Sequence, residues 1–286
     1  MTAHTHLEQM IAFYDPEEHH RSLVYLRGSD SGLGALAYDV CCLWCLGYPD
    51  QALKRSQEAL TLARELDHPF SLADVLCYAG CYFSAMRRDA QALQEHAEEL
   101  IGLSNERGIA GAGWSGVATN FLGEALALLG QAQKAIAQIR EGMTKAQSAG
   151  VELNKPVMLR SLASAQAKAR QPKEGLATLT EALALVEDTD ERHWEAELYR
   201  LRAELLLMQG DDAEAEASLE RALEVARGQS AKSWELRVAI DLARLWQKQG
   251  RIDEAREMLS EVYCWFTEGF DTPDLIEAKD LLEAIS

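Results

Sequence analysis

The sequence predicts an all-α protein built as a solenoid of about six long helix hairpins, closed by a carboxy-terminal capping helix. Three observations carry this. The phrase MQGDDAEAEASLERALEVAR at 208–227 returns later as KQGRIDEAREMLSEV and stands earlier as ARQPKEGLATLTEAL, at intervals of 40 residues. Each copy places apolar or small residues at helical spacing (Ala215, Leu219 and Ala222; Ala255, Leu259 and Val262), the stripe of an amphipathic helix. Only 6 of 286 residues are proline, and Ala, Leu, Glu and Gln abound, so helix is favoured throughout.

Taken in order, residues 3–14 form a short amphipathic helix with Leu7, Ile11 and Tyr14 along one side. Asp15-Pro16 opens a second segment that Gly28 stops. Residues 1–30 read as a half-repeat whose first helix is missing. From there the inter-helix turn is expected at Gly47, Arg87, Gly130, Arg170, Gly210 and Gly250, with spacings of 40, 43, 40, 40 and 40. Five residues after each turn stands a small residue: Ala52, Ala92, Ala135, Gly175, Ala215 and Ala255. Seven before it stand Gly80, Gly123, Ala163, Ala203 and Ala243, with Val40 the exception. Small residues at fixed places let two helices approach closely. First helices are expected at 33–46, 71–86, 114–129, 155–169, 193–209 and 232–249. Second helices are expected at 49–66, 89–107, 132–149, 172–188, 212–228 and 252–268. The solenoid thus covers 31–268, in repeats of about 31–68, 71–108, 112–150, 154–189, 192–229 and 232–268. The extra residues near Gly108–Gly113 make one soft joint. Residues 269–286 form the cap, whose helix runs from Thr272-Pro273 to Ile285 and carries Glu277, Lys279, Asp280 and Glu283 outward.

The pattern of glycine, alanine, leucine and alanine in the second helix, with small residues in the first, resembles the tetratricopeptide repeat in a long-helix form. That resemblance implies a right-handed solenoid. The phrases AFYDPEEHHRSLVY, LWCLGYPDQALKRSQEALTLARELDHPFSLADVL, RHWEAELYRLRAELLL, AKSWELRVAIDLARLWQKQGR and YCWFTEGFDTPDLIEAKDLL resemble the carboxy-terminal tail of a bacterial multidomain family. In that family a class III adenylate or guanylate cyclase domain, or another effector, precedes a P-loop NTPase module and the helical tail. The resemblance implies a sensory or scaffolding segment of a signalling protein. GSDSGLGA at 28–35 lacks the lysine of a phosphate loop, so no nucleotide site is expected in this chain.

The formal charge is −18, from 46 acidic and 28 basic residues. Such a surface repels nucleic acid and anionic membranes, so neither is an expected partner. No apolar run approaches the ~18 residues of a membrane span. The start MTAHTHLEQM lacks a secretory signal, which makes the cytoplasm the expected compartment.

Candidate chemistry is sparse. His4, His6, His19 and His20 invite a metal, but the position of His20-Arg21-Ser22 at a helix start favours capping or packing. Cys41/Cys45 and Cys77/Cys81 are two i,i+4 pairs on adjacent first helices, read as a small apolar lining or as a zinc or redox site. Trp194 and Trp234 open consecutive first helices one repeat apart, a spacing that suits packing better than a ligand cage. No spacing marks a catalytic set, and neither enzyme activity nor a cofactor is expected. The most informative polar feature is a ladder, Asn120, Arg160 and Arg200, with Lys168, Arg237, Arg244 and Lys248 nearby. Facing a groove, these residues would take an acidic peptide segment or a carboxylate. Local pairing of Arg200 with Glu204 and of Asn120 with Glu124 is the competing reading.

The expected function is therefore a non-catalytic module that binds a protein or peptide, or contacts upstream cyclase or NTPase domains. A structural oligomerisation segment and a small-ligand sensor are the alternatives. Leu7, Met10, Ile11, Phe13 and Tyr14 have no preceding helix to cover them. The segment is expected to fold back on 17–46, to be covered by a second copy of the chain or to fray, with a homodimer through the amino-terminal helix the preferred reading.

Overall fold

The helical preference of the sequence is realised throughout the computed structural model, which describes residues 3–109, 113–151 and 153–285 and contains no strand among them. Contacts divide the chain into two compact units, one of Met1–Trp44, Pro49–Leu129 and Ala137–Glu152, the other of Cys45–Tyr48, Gly130–Ile136 and Leu153–Ser286. The helices of the first part of the chain are α1 (Ala3–Phe13), α2 (Pro16–Arg27), α3 (Ser31–Cys45), α4 (Pro49–Leu66) and α5 (Pro69–Val75). A π-helical turn over Leu76–Tyr82 leads into α6 (Phe83–Met86), followed by α7 (Ala90–Glu106), α8 (Trp114–Leu128) and α9 (Ala132–Ser148). Then come α10 (Lys155–Lys168), α11 (Pro172–Thr189), a 3₁₀ turn (Arg192–Trp194), α12 (Glu195–Gln209), α13 (Asp212–Gly228), α14 (Lys232–Lys248), α15 (Ile252–Tyr263) and α16 (Pro273–Ala284).

In the second unit, each first helix ends on a left-handed residue: Arg170 (φ 59°), Gly210 (φ 82°) and Gly250 (φ 82°). Five, nine and twelve places later the second helix turns the same face inward, and the residues there are buried: Ala215, Leu219 and Ala222 on α13, Ala255, Leu259 and Val262 on α15. Gly175 on α11 is small for a visible reason, because a Cβ there would meet the Leu205 side chain at 2.8 Å. The last helix covers the end of this core with Leu275, Ala278 and Leu281 and exposes Lys279, Asp280 and Glu283. The preceding second helix is shorter than expected. It stops at Tyr263, and Phe266 enters the core from the loop beyond it.

The first unit departs from the expected register at one place. The left-handed residue is Arg88 (φ 57°), one place later than the expected turn at Arg87. The cause is the π turn, which closes i→i+5 bonds and so accommodates one extra residue in a helix. The buried stripe of α7 moves with it. Leu93, Ala97 and Leu100 are fully buried, whereas Ala92, expected to be the close-packing position, is half-exposed. The soft joint expected at 108–113 lies partly outside the described residues, since 110–112 are not among them.

The tightest crossing in this unit is that of α8 on α9. A Cβ on Gly142 would sit 2.6 Å from the Asn120 backbone nitrogen, and one on Gly116 would collide with the Ala146 backbone. Backbone cannot move aside as a side-chain tip does, so both positions require glycine despite its cost of about 1 kcal/mol in a helix interior.

At the amino-terminal end, α1 and α2 lie against α3 through polar contacts. Asp30 is the hub. Its Oδ1 accepts from the Gly32 and Leu33 backbone N–H groups at 2.8 and 3.3 Å, starting α3. Its Oδ2 accepts the Tyr14 hydroxyl at 2.6 Å and meets His20 Nδ1 at 2.7 Å. The His4 ring bonds Asp39 at 2.6 Å, and Arg55 donates to the other Asp39 oxygen at 2.6 Å. Phe13 (83% exposed), Tyr25 (89%) and Leu26 (74%) stay outside these contacts.

Gly142→Ala should destabilise the protein in denaturant unfolding, by roughly 1–3 kcal/mol, even though alanine is the better helix former. Gly228→Ala, where a Cβ meets nothing within 4 Å, is the control and should be neutral or stabilising.

Candidate functional site

The first helices of the second unit carry the basic ladder, and the structure engages most of it internally. Arg160 on α10 is buried, with its guanidinium over the Trp194 ring at 4.1 Å. Trp194 and Trp234 pack with ring centroids 4.9 Å apart, and Arg237 lies over Trp234 at 5.1 Å. These four side chains form one continuous stack across α10, α12 and α14. Arg237 also donates from Nε to Asp274 Oδ2 at 2.8 Å, tying α14 to the first turn of α16.

Arg200 forms a fork with Glu197, at 2.7 and 2.9 Å, and reaches Asp241 on the next first helix at 2.6 Å. Glu204, its i+4 neighbour, lies at 3.6 Å. Burial pushes the Glu197 carboxyl up, but the Arg200 guanidinium, with Arg237 and Arg160 behind it, more than reverses this and holds it at about 2. Arg244 continues the chain of charges to Glu277 on α16 at 2.7 Å. Lys248 pairs with Asp212 at 2.9 Å and Arg244 with Glu277, yet both remain largely exposed. Lys168 is exposed and pairs with no described residue. Asn120, on α8 in the first unit, is buried.

The corresponding helices of the first unit carry aromatic and thiol groups instead. Tyr38 packs against Tyr78 with centroids 4.5 Å apart, and Tyr78 stacks on Tyr82 at 5.1 Å, an i,i+4 pair within the π turn. Cys41 Sγ donates to the Tyr78 carbonyl oxygen at 3.6 Å. Cys77 and Cys81 are buried, burial raises both thiols, and it pushes the Cys42 thiol up to about 11. Burial of this kind favours the protonated thiol. Among the described residues no three His, Cys, Asp or Glu side chains come together as metal ligands. His4 and His20 serve Asp39 and Asp30, and His19 accepts the Asp15 backbone N–H at 2.9 Å. None of the described helices is long and apolar enough to cross a membrane.

The Asp241 contact escapes sequence reasoning because it spans 41 residues. Its only trace is that Asp241 occupies the place one period after Leu201, where the other copies are apolar or small.

Arg200→Gln should cost about 3–5 kcal/mol, because it leaves Glu197 buried without its counter-charge. Glu197 is depressed in the folded state, so its contribution is present above its ordinary value near 4.5 and is lost as pH falls toward about 2. Chemical denaturation across that range should show this acid limb in the parent chain and a diminished one in the variant.

Tetratricopeptide-repeat profiles match residues 155–228 and 236–261. No curated protein matches the chain in sequence. A Rap protein complexed with competence and sporulation factor is similar in structure, with a TM-score of 0.63 at 13% identity, over 99% of this chain and 86% of that one. PlcR of Bacillus thuringiensis, in complex with the peptide PapR7 and DNA, has a TM-score of 0.51 at 13% identity, over 88% of this chain and 98% of that one. The chain carries tetratricopeptide repeats, and its fold is the all-helical kind seen in those two proteins.

Proposed function

We propose that this chain is a non-catalytic module for recognising a protein or peptide. The observation that carries the reading is the pair of tetratricopeptide matches over 155–228 and 236–261, on helix hairpins whose first helices keep Lys168, Arg244 and Lys248 exposed. The Rap and PlcR structures, solved with competence and sporulation factor and with PapR7, support it through their shared fold. PlcR was also solved with DNA, but a chain of charge −18 is poorly suited to a phosphate backbone.

Three finer readings belong to the same proposal. An acidic partner would meet Lys168, Arg244 and Lys248, the ladder members that remain exposed; Arg160, Arg200 and Arg237 act as struts. The resemblance of its phrases to the tail of a cyclase- and NTPase-bearing family favours a regulatory or scaffolding tail in bacterial signalling. Exposed Met10, Phe13, Tyr25 and Leu26 favour self-association through the amino-terminal helices.

Capture from native lysate on the full chain, followed by mass spectrometry, should return a saturable protein or peptide partner; failure to return one would reject the recognition reading. A Lys168→Glu, Arg244→Glu, Lys248→Glu variant should lose an acidic partner while keeping its helical content, and unchanged affinity would reject that finer form. The purified chain should neither cyclise nor hydrolyse ATP or GTP. In light scattering, Phe13→Ser with Leu26→Ser should shift a dimer to monomer, and a parent chain already monomeric at high concentration would reject self-association.

A further inference from the structure

Three of the carboxylates that the first unit withdraws from solvent, Asp30, Asp39 and Asp74, are treated differently. Asp30 is met by Tyr14 and His20, and Asp39 by Arg55 and His4. Asp74, half-buried on α5, has no hydrogen bond or ion pair with any described residue. Phe70 and Tyr78 stand four residues before and after it, on the same helix face. Tyr38 and Cys77 feel its charge, Tyr38 and Tyr78 pack together at 4.5 Å, and Phe70 stands one helical turn earlier. Tyr38 and Phe70 are both exposed on this face, at 45% and 41%. The π turn that sets Tyr78 beside Tyr38 begins two residues after Asp74, and such turns in helices recur at functional sites.

We propose that the face formed by Tyr38, Phe70, Asp74 and Tyr78 binds a cationic side chain, lysine or arginine, of a basic peptide segment. The carboxylate would pair with the cation while the tyrosine rings cover its flank, a combination that recognises ammonium and guanidinium groups and has no use for an anion. This rests on the recognition reading above and assigns the partner's charge at the first unit. Charge supports the choice of occupant. The chain carries −18 overall, which steers cations toward it, and Asp74 on this face pairs with no described residue. In the second unit the first helices carry arginines already paired with carboxylates, so the two units offer different chemistry.

The cost of holding Asp74 in this way is visible. Burial pushes its carboxyl up to about 6, with no cation to offset it. A raised acid destabilises the fold as pH rises from its ordinary value through about 6, and an incoming cation relieves that penalty. The other titratable groups around it are the Tyr38 and Cys77 side chains, both raised, and the Cys41 thiol. Neither raised group changes charge between pH 5 and 8.

The test uses the full chain and a fluorescein-labelled octapeptide of alternating alanine and lysine, with a glutamate-for-lysine counterpart, in fluorescence polarisation at about pH 7.5. The lysine peptide should bind saturably. Asp74→Asn should weaken it by about tenfold or more and Tyr38→Ala severalfold, while Glu257→Gln, an exposed acid on α15, should change it less than about twofold. Lowering the pH to about 5 should bring the parent chain toward the Asp74→Asn value and leave that variant unchanged. Asp74→Asn should also raise the melting midpoint at about pH 7.5, with the gain shrinking by about pH 4, which shows that the variant is folded. Equal losses in Asp74→Asn and Glu257→Gln would mean diffuse attraction and overturn the proposal. So would an Asp74→Asn affinity equal to that of the parent chain, or no binding of the lysine peptide. Binding of the glutamate peptide alone would overturn it while leaving peptide recognition standing, and recognition itself falls only if lysate capture also fails.

Discussion

Each described hairpin depends on how closely its second helix can approach its first. The stripe five, nine and twelve places after the turn sets that distance, and its fifth place is held by residues that bury little volume: Gly175, Ala215 and Ala255. Where two glycines face each other's backbones, at Gly116 and Gly142, the approach is closest. Dense packing of this kind leaves no room for adjustment, so the turn residue must fall in register with the stripe. The orientation of the first helices, and with it the identity of the side chains left on their free faces, follows from that register.

In the second unit those faces are occupied by charge. Removing a guanidinium from water is costly unless it gains a partner, and the structure supplies one at each step: Glu197 and Asp241 for Arg200, Asp274 for Arg237, Glu277 for Arg244. The tryptophans extend the same connection through their π faces. A row of arginines that looks like a recognition surface in one dimension is, in three, largely a set of crosslinks between successive repeats. The ladder cations that stay exposed, Lys168, Arg244 and Lys248, stand at the periphery of the row.

Much of this architecture was legible in the sequence. The period, the glycines at 210 and 250, the prolines opening α2, α4, α11 and α16, and the capping helix all act through local rules, and each stands where those rules put it. Both tetratricopeptide matches fall in the stretch where the spacing is uniform. What was not legible depends on contacts between distant residues. The expected partner of Arg200 was Glu204 on its own helix, because only local pairs can be counted from sequence; the shorter contacts go to Glu197 and Asp241. His4 and His20 were visible as histidines, but the carboxylates they serve lie 35 and 10 residues away. The difference between Ala92 and Leu93 was hidden because nothing in LCYAGCY announces a wider turn.

That wider turn has an angular meaning. One residue in an α-helix is worth about 100° of rotation about its axis, and the π segment absorbs the equivalent of one residue without breaking the rod. The helix therefore carries two azimuthal frames end to end. Side chains before Leu76, Asp74 among them, are aimed by the frame of α5, while those after Tyr82 are aimed by the frame of α6. Tyr78 and Tyr82, stacked at 5.1 Å, sit in the interval where one frame is exchanged for the other. A repeat that inherits an extra residue usually loses its phase with its neighbours; here the phase error is confined to seven residues, and the surface it creates belongs to neither frame.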